Sequence, residues 1–258
     1  MSHAAPDARP GAPRGHNVVI ERSLNLPLYR RANAGRRWPA AWAAGLVLFL
    51  LGPRAEADPR ASSSLTATRL NVHDFAVIPS ESGPFSYYRI IEDPVEPFIR
   101  GSYRPPLETV VVGVDISAGL RDSVRLRWKW RVLALPAGGD ECRPGFGDSA
   151  AAVYVTWRRF LKIYSLKFVW STAGKRGQVC QDDSNLFLAH QTVVLETGGP
   201  LGTWLTEEID LAAEFRAHFE HGDPQASVPE LLGIGVMSDG DQTRSVSEGD
   251  YTGFALLH

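Results

Sequence analysis

Residues 124–132 read Val-Arg-Leu-Arg-Trp-Lys-Trp-Arg-Val, alternating apolar and cationic positions without a break. Val124, Leu126, Trp128, Trp130 and Val132 fall on one side, and Arg125, Arg127, Lys129 and Arg131 on the other. A period of two over this length predicts a strand with one buried and one wet face. Ala151, Val153, Val155 and Trp157 alternate in the same way, as do Tyr164, Leu166, Phe168 and Trp170, so 150–157 and 164–171 are expected to form an antiparallel hairpin. The β-branched run 109–116 suits a covered central strand. Further strands are expected over 85–91, 192–196, 204–209, 231–237 and 252–257, separated by breaks such as Pro105-Pro106, Gly138-Gly139 and Gly198-Gly199-Pro200. Only 211–221 reads as a helix, with Leu211, Phe215 and Phe219 four apart, Asp210 as N-cap and Gly222 as a stop. Many short strands with one short helix predict an all-β, jelly-roll-like sandwich of two antiparallel sheets. No repeat with a period of about 20–50 residues is visible, which disfavours a propeller or solenoid.

The N-terminal region follows a different pattern. Arg30-Arg31 and Arg36-Arg37 precede an apolar run over 40–51, Gly52-Pro53 breaks it, and Ala55-Glu56-Ala57 supplies small residues after the break. A cationic stretch, a short apolar run and an A-x-A site define a secretory signal peptide. Residues 1–57 are therefore read as a long leader with a signal peptide cleaved near Ala57, and 58–258 as a single β-sandwich domain that is periplasmic or secreted. The competing reading is an uncleaved anchor, although about a dozen apolar residues span a bilayer poorly. Of the chain's 27 basic and 29 acidic residues, the leader takes eight Arg against Asp7, Glu21 and Glu56. The remaining 19 basic and 26 acidic residues make an acidic body, which argues against nucleic acid as a partner.

Cys142 and Cys180 are the only cysteines. In an exported protein such a pair suggests a disulfide, and the hairpin brings both to one end. Of the seven Trp, Trp128 and Trp130 share their face with Val and Leu and belong to the core; Tyr87, Tyr88 and Trp170 are the aromatics to consider as platforms for a sugar ring. The cationic face of 125–131 is expected to pair with carboxylates on neighbouring strands rather than with an anionic polymer.

Several short motifs occur in order: Gly147-Asp148 leading into Tyr154-Val155, then Phe168-Val-Trp-Ser171, Trp204-Leu-Thr-Glu207, Val236-Met-Ser-Asp239-Gly-Asp241-Gln-Thr243 and Gly249-Asp250-Tyr251. Over roughly 65–258 they resemble a bacterial family known as domain of unknown function 3047, with Ala152 standing where that family often carries an Arg. The resemblance implies a sandwich related in shape to carbohydrate-binding modules, and implies no activity.

Candidate chemistry concentrates in 237–251, where Asp239, Asp241, Glu248 and Asp250 surround Gly240 and Gly249. Oxygen ligands two apart around a glycine suit Ca²⁺, so Asp239, Asp241 and Asp250 are the candidate metal ligands, without the full EF-hand pattern. Asp148, Tyr154, Trp170, Asp239, Asp241 and Asp250 are the candidate ligand-binding residues. No nucleophile elbow, zinc-protease helix or phosphate loop is present, so no catalytic residue is assigned. Glu207, Glu208 and Asp210 as paired acids, and His218 with His221 as metal ligands, read more simply as a wet strand edge and a helix end. The reading is an exported non-catalytic binding module for a carbohydrate or cell-envelope glycan, with Ca²⁺ bracing its terminal loop. Its rivals are a periplasmic glycan hydrolase drawing on Asp148, Glu207 or Asp239, and a structural protein-interaction domain.

Overall fold

The computed structural model describes residues 65–78 and 87–258. The leader, the signal peptide and the start of the strand expected at 85 lie outside the described residues. In chain order the elements are β1 (Ala67–Arg69), β2 (Ala76–Val77), β3 (Tyr88–Ile91), β4 (Phe98–Tyr103), β5 (Val112–Asp115), β6 (Arg125–Ala134), β7 (Ser149–Arg159), β8 (Lys162–Ser171), β9 (Val179–Ser184), β10 (Leu188–Thr197), β11 (Leu205–Asp210), α1 (Leu211–Phe219), β12 (Glu230–Met237) and β13 (Ser247–Leu257). They form a six-stranded sheet ordered β11-β6-β13-β4-β3, with β1 also paired to β13, and a seven-stranded sheet ordered β2-β5-β12-β7-β8-β10-β9. This is the expected β-sandwich. One pairing departs from the antiparallel expectation, because β10 runs parallel to β8. The chain leaves β8, forms the edge strand β9 and returns as β10 between the two.

The alternation read from 124–132 explains the core. Leu126, Trp128, Trp130 and Val132 are buried, and Trp128 and Trp130 meet edge to face with ring centroids 5.6 Å apart. From the opposite sheet Phe168 packs on Trp128 and Trp170 on Trp130, with centroids 6.0 and 5.8 Å apart. On the wet face Glu208 accepts from Arg125 at 2.9 Å and from Arg127 at 2.8 Å, Lys129 donates to Glu96 at 2.9 Å, and Arg131 binds Asp250. The cationic stripe is thus paired, as cross-strand charge favours. The helix starts as read: Asp210 Oδ1 accepts from the Ala213 amide at 2.8 Å, and Phe215 closes one end of the core against Trp157 and Tyr164, with centroids 5.5 and 5.1 Å away.

Cys142 and Cys180 are joined in a disulfide across a sequence separation of 38. Cys142 lies in the 135–148 loop and Cys180 within β9, paired opposite Thr192. Closing a loop of this length restricts the unfolded chain by about 4 kcal/mol in the chain-entropy treatment. Replacing both cysteines by Ser is expected to lower unfolding stability by about 2–4 kcal/mol, read as a lower midpoint in urea.

Candidate functional site

The strand registers define the outer face of the seven-stranded sheet. Gly113 pairs with Gly235, Gly235 with Tyr154, Tyr154 with Lys167, Lys167 with Thr192 and Thr192 with Cys180, giving one continuous row across six strands. The 135–148 loop covers the Lys167 half of this row. Under it Ala152, Val169, Cys180, Val194 and Met237 form a second small apolar cluster, with Cys142, Tyr154 and Val111 against it. Lys167 is 5% exposed and Glu141 is 1% exposed, and the ammonium donates to Glu141 Oε1 at 2.8 Å. Burial alone would push Lys167 down, but Tyr154, Glu141 and Asp239 outweigh it and hold the ammonium above its ordinary value. Burial also raises the Tyr154 phenol, whose hydroxyl donates to Met237 Sδ at 3.4 Å.

The other half of the row stays open. It forms a groove of about 550 Å³ floored by Gly113, Gly233 and Gly235, walled by Tyr154 and Thr156 on one side and Val77 and Ile78 on the other, with Asp74 and Asp115 on its rim. Glycine in a strand leaves bare backbone where another molecule can approach closely. Of these residues only Tyr154 was singled out from the sequence. The signal for the rest was Gly113-Val-Asp115 and Gly233-Ile-Gly235, where glycines occupy alternating strand positions.

Beyond the closed half, three carboxylates converge: one ligand oxygen each from Asp148, Asp239 and Asp241 lie within 4.8 Å of one another. Asp148 is buried and accepts from the Gln242 amide at 3.3 Å and the Thr243 amide at 2.6 Å. Asp239 accepts from Thr109 Oγ1 at 2.7 Å, while its own amide donates to Ser149 O at 2.9 Å. The preceding turn is held by tyrosines: Tyr87 donates to Ser238 O at 2.7 Å, Tyr88 accepts from the Ser238 amide at 2.8 Å, and Tyr251 donates to Met237 O. Gly240 is required here, since a Cβ would lie 2.2 Å from Ser245 O. Burial, with Asp148 and Asp241 adding to it, raises Asp239 to about 7 against the opposing effects of Thr109 and Lys167. The three converging oxygens, one from each carboxylate, are fewer than the six to eight that calcium takes. None of the three lines the groove.

Two residues expected at the site are elsewhere. Trp170 is fully buried between the sheets and donates its indole N–H to Gly198 O at 2.7 Å, so it presents no face to a ligand. Its strand alternation with Phe168 put it on the core side. Asp250 belongs to β13 in the other sheet, where Arg100 and Arg131 occupy both of its oxygens. It does not join the other carboxylates. Tyr87 and Tyr88 serve as braces, with burial raising both phenols. Glu207 lies buried on the six-stranded sheet beside Arg176 at 3.2 Å, Glu208 is paired with Arg125 and Arg127, and His218 is bonded to Gln191 at 2.8 Å. Glu207, Glu208 and Asp210 therefore do not come together as paired acids, whereas Asp148 and Asp239, also named for the hydrolase reading, do converge.

Sandwich, pinned loop and open groove define a β-sandwich protein with a single-faced cleft on its seven-stranded sheet. Residues 108–255 match the family described as "Protein of unknown function (DUF3047)", more than half of the chain, and the chain belongs to that family. No curated protein is a significant match. Among solved structures, the chain is similar to the xyloglucanase domain of NopAA, a type three effector from Sinorhizobium fredii in complex with cellobiose, at 9% identity over 75% of this chain and 98% of that one, with a TM-score of 0.42. It is also similar to the family 11 carbohydrate-binding module of the cellulosomal cellulase Lic26A-Cel5E of Clostridium thermocellum, at 8% identity over 76% and 96%, with a TM-score of 0.40. TM-scores below 0.5 assign no activity.

The raised Asp239 has a definite sign. The folded protein keeps a proton there up to about pH 7 that the unfolded chain releases near its ordinary 3.8. Its contribution is complete below pH 3.8, falls as pH rises to about 7, and is flat above. At about 1.4 kcal/mol per pH unit, the cost at pH 8 is on the order of 2–4 kcal/mol. Asp239→Asn is expected to flatten the fall in melting temperature between pH 4 and 7 and to raise it at pH 8. Calcium held by these carboxylates would keep Asp239 ionised, so calcium is expected to raise the melting temperature at pH 8; no effect at millimolar calcium removes the bracing role.

Proposed function

We propose that the protein is an exported, non-catalytic glycan-binding module whose ligand lies in the groove over β2, β5, β12 and β7. The observation that carries this reading is the glycine floor beside Tyr154. A sugar ring has C–H faces and a hydroxyl edge. Backbone at Gly233 accepts the face closely, Ile78 and Val111 stand over Gly113 and Gly235 as apolar contacts for it, and Asp74, Asp115 and Thr156 are placed for the hydroxyls. The volume lies in the range of about 300–1,000 Å³ typical of ligand clefts. The disulfide supports an oxidising compartment, in line with the leader read from residues 1–57. The non-catalytic part rests on the placement of the carboxylates: the cluster of three stands outside the groove, and the groove's own Asp74 and Asp115 sit on its rim, where they are assigned to sugar hydroxyls.

Thermal unfolding of the full chain against a panel of soluble β-glucans and peptidoglycan fragments tests the reading. A ligand at 100 times its dissociation constant adds about 2.7 kcal/mol of stability. Thr156→Arg, which fills the groove from an outward position, is expected to weaken binding at least tenfold with little change in the unliganded melting temperature. Release of new reducing ends from a bound glycan would replace the module by a hydrolase. An unshifted melting temperature with every glycan would count against the groove as a sugar site.

A further inference from the structure

Two turns at one end of the seven-stranded sheet carry the most exposed large apolar side chains among the described residues outside Val95. The two-residue turn joining β7 to β8 is Phe160-Leu161, 92% and 80% exposed. The turn joining β9 to β10 carries Leu186 and Phe187, 78% and 59% exposed, with Leu188 beside them. Because β8 and β10 are parallel, both turns lie at the same end, and the Ile163 amide donates to Phe187 O at 2.8 Å to tie them together. The second turn is held in shape by Asn185 Oδ1, which accepts from the Phe187 and Leu188 amides at 2.8 and 2.9 Å.

The residue choice runs against what the turn itself favours. Phe160 has φ 55°, in the left-handed region where Gly, Asn and Asp fit and a bulky side chain is strained. A two-residue hairpin turn would be satisfied by Asn-Gly. This chain instead places an aromatic and a Leu where they gain nothing from burial, which points to burial in something else. Arg159 and Lys162 directly flank the turn; Arg159 is ion-paired with Glu220 at 2.7 Å, while the exposed Arg158 and the half-buried Lys162 pair with no carboxylate among the described residues.

We propose that these two turns form an interfacial anchor that inserts into the surface of an anionic lipid bilayer. Apolar side chains at a convex tip enter the acyl boundary while flanking cations stay among the headgroups, the arrangement of interfacial anchors. Five side chains are far fewer than the roughly 20–30 residues per side of a stable protein interface, which disfavours a second copy as the occupant. The groove opens on the sheet face and not at this tip, so the anchor and the glycan reading stand or fall separately.

Vesicle flotation of the full chain decides it, comparing pure phosphatidylcholine with phosphatidylcholine containing one quarter phosphatidylglycerol (about 25%). The double variant Phe160→Asn, Leu161→Gly, which installs the favoured turn, is expected to keep or raise the melting temperature while binding anionic vesicles at least tenfold more weakly. The apolar run at 40–51 is identical in both chains, so the difference reports the tip alone. Phe160→Trp is expected to gain emission that brominated acyl chains quench. Equal flotation of the wild type and the double variant, or no quenching at position 160, overturns the anchor. A wild-type dimer in sedimentation that the double variant loses, with flotation unchanged, assigns the tip to a second copy instead.

Discussion

A lysine ammonium in the middle of a sheet face, shut away from water, must have a carboxylate beside it. Removing one member of such a buried pair costs about 3–5 kcal/mol, because the other charge is left uncompensated. Lys167 imposes this demand on the fold, and Glu141 answers it from the 135–148 loop. Much of the outer face follows from that closure. The loop lies down over Ala152, Val169 and Val194, Cys142 arrives beside Cys180, and Asp148 at the loop's end meets the amides of Gln242 and Thr243. The groove is open because the loop stops short of β12 and β5, whose glycines would give it nothing to pack on.

The sandwich was legible where one face was wet. Along β6 and β7 the alternation named the core residues, apart from Val124, which precedes β6 and is exposed, and predicted carboxylate partners for the cationic face without naming them. β4 escaped notice because Phe98 and Ile99 are both buried on opposite faces, so Phe-Ile-Arg-Gly-Ser-Tyr shows no period. β9, Val-Cys-Gln-Asp-Asp-Ser, is an edge strand whose composition reads as a loop. Asp148, Asp239 and Asp241 were each visible as candidates, but their meeting depends on a contact between segments some 90 residues apart, which local pattern cannot express. Asp250 looked like a loop ligand for the same reason in reverse: its partners Arg100 and Arg131 come from β4 and β6, one of them an unrecognised strand. The groove stayed hidden because it is built from absent side chains.

The two outer faces handle charge in opposite ways. On the six-stranded sheet a dense cationic stripe is matched strand by strand with Glu208, Glu96 and Asp250, leaving little field to recruit an anion. On the seven-stranded sheet the like charges of Asp148, Asp239 and Asp241 are crowded, and the strain is relieved by a proton on Asp239 near neutrality rather than by a cation of the chain alone. With Asp74 and Asp115 on its rim and no cation in its lining, the groove suits an uncharged ligand better than a polyanion.

The parallel pairing of β8 and β10 carries a consequence for assembly. Among the described residues β9 pairs in the sheet only with β10, so it is the β10 edge of the β9–β10 hairpin that joins it to β8. Cys180 rides on the far strand of that hairpin. The two sulfurs come within reach only when the hairpin has docked in register and the 135–148 loop has folded over it. The covalent bond is therefore a checkpoint: oxidation locks the native strand order, and a chain that pairs β9 wrongly has no partner thiol in reach.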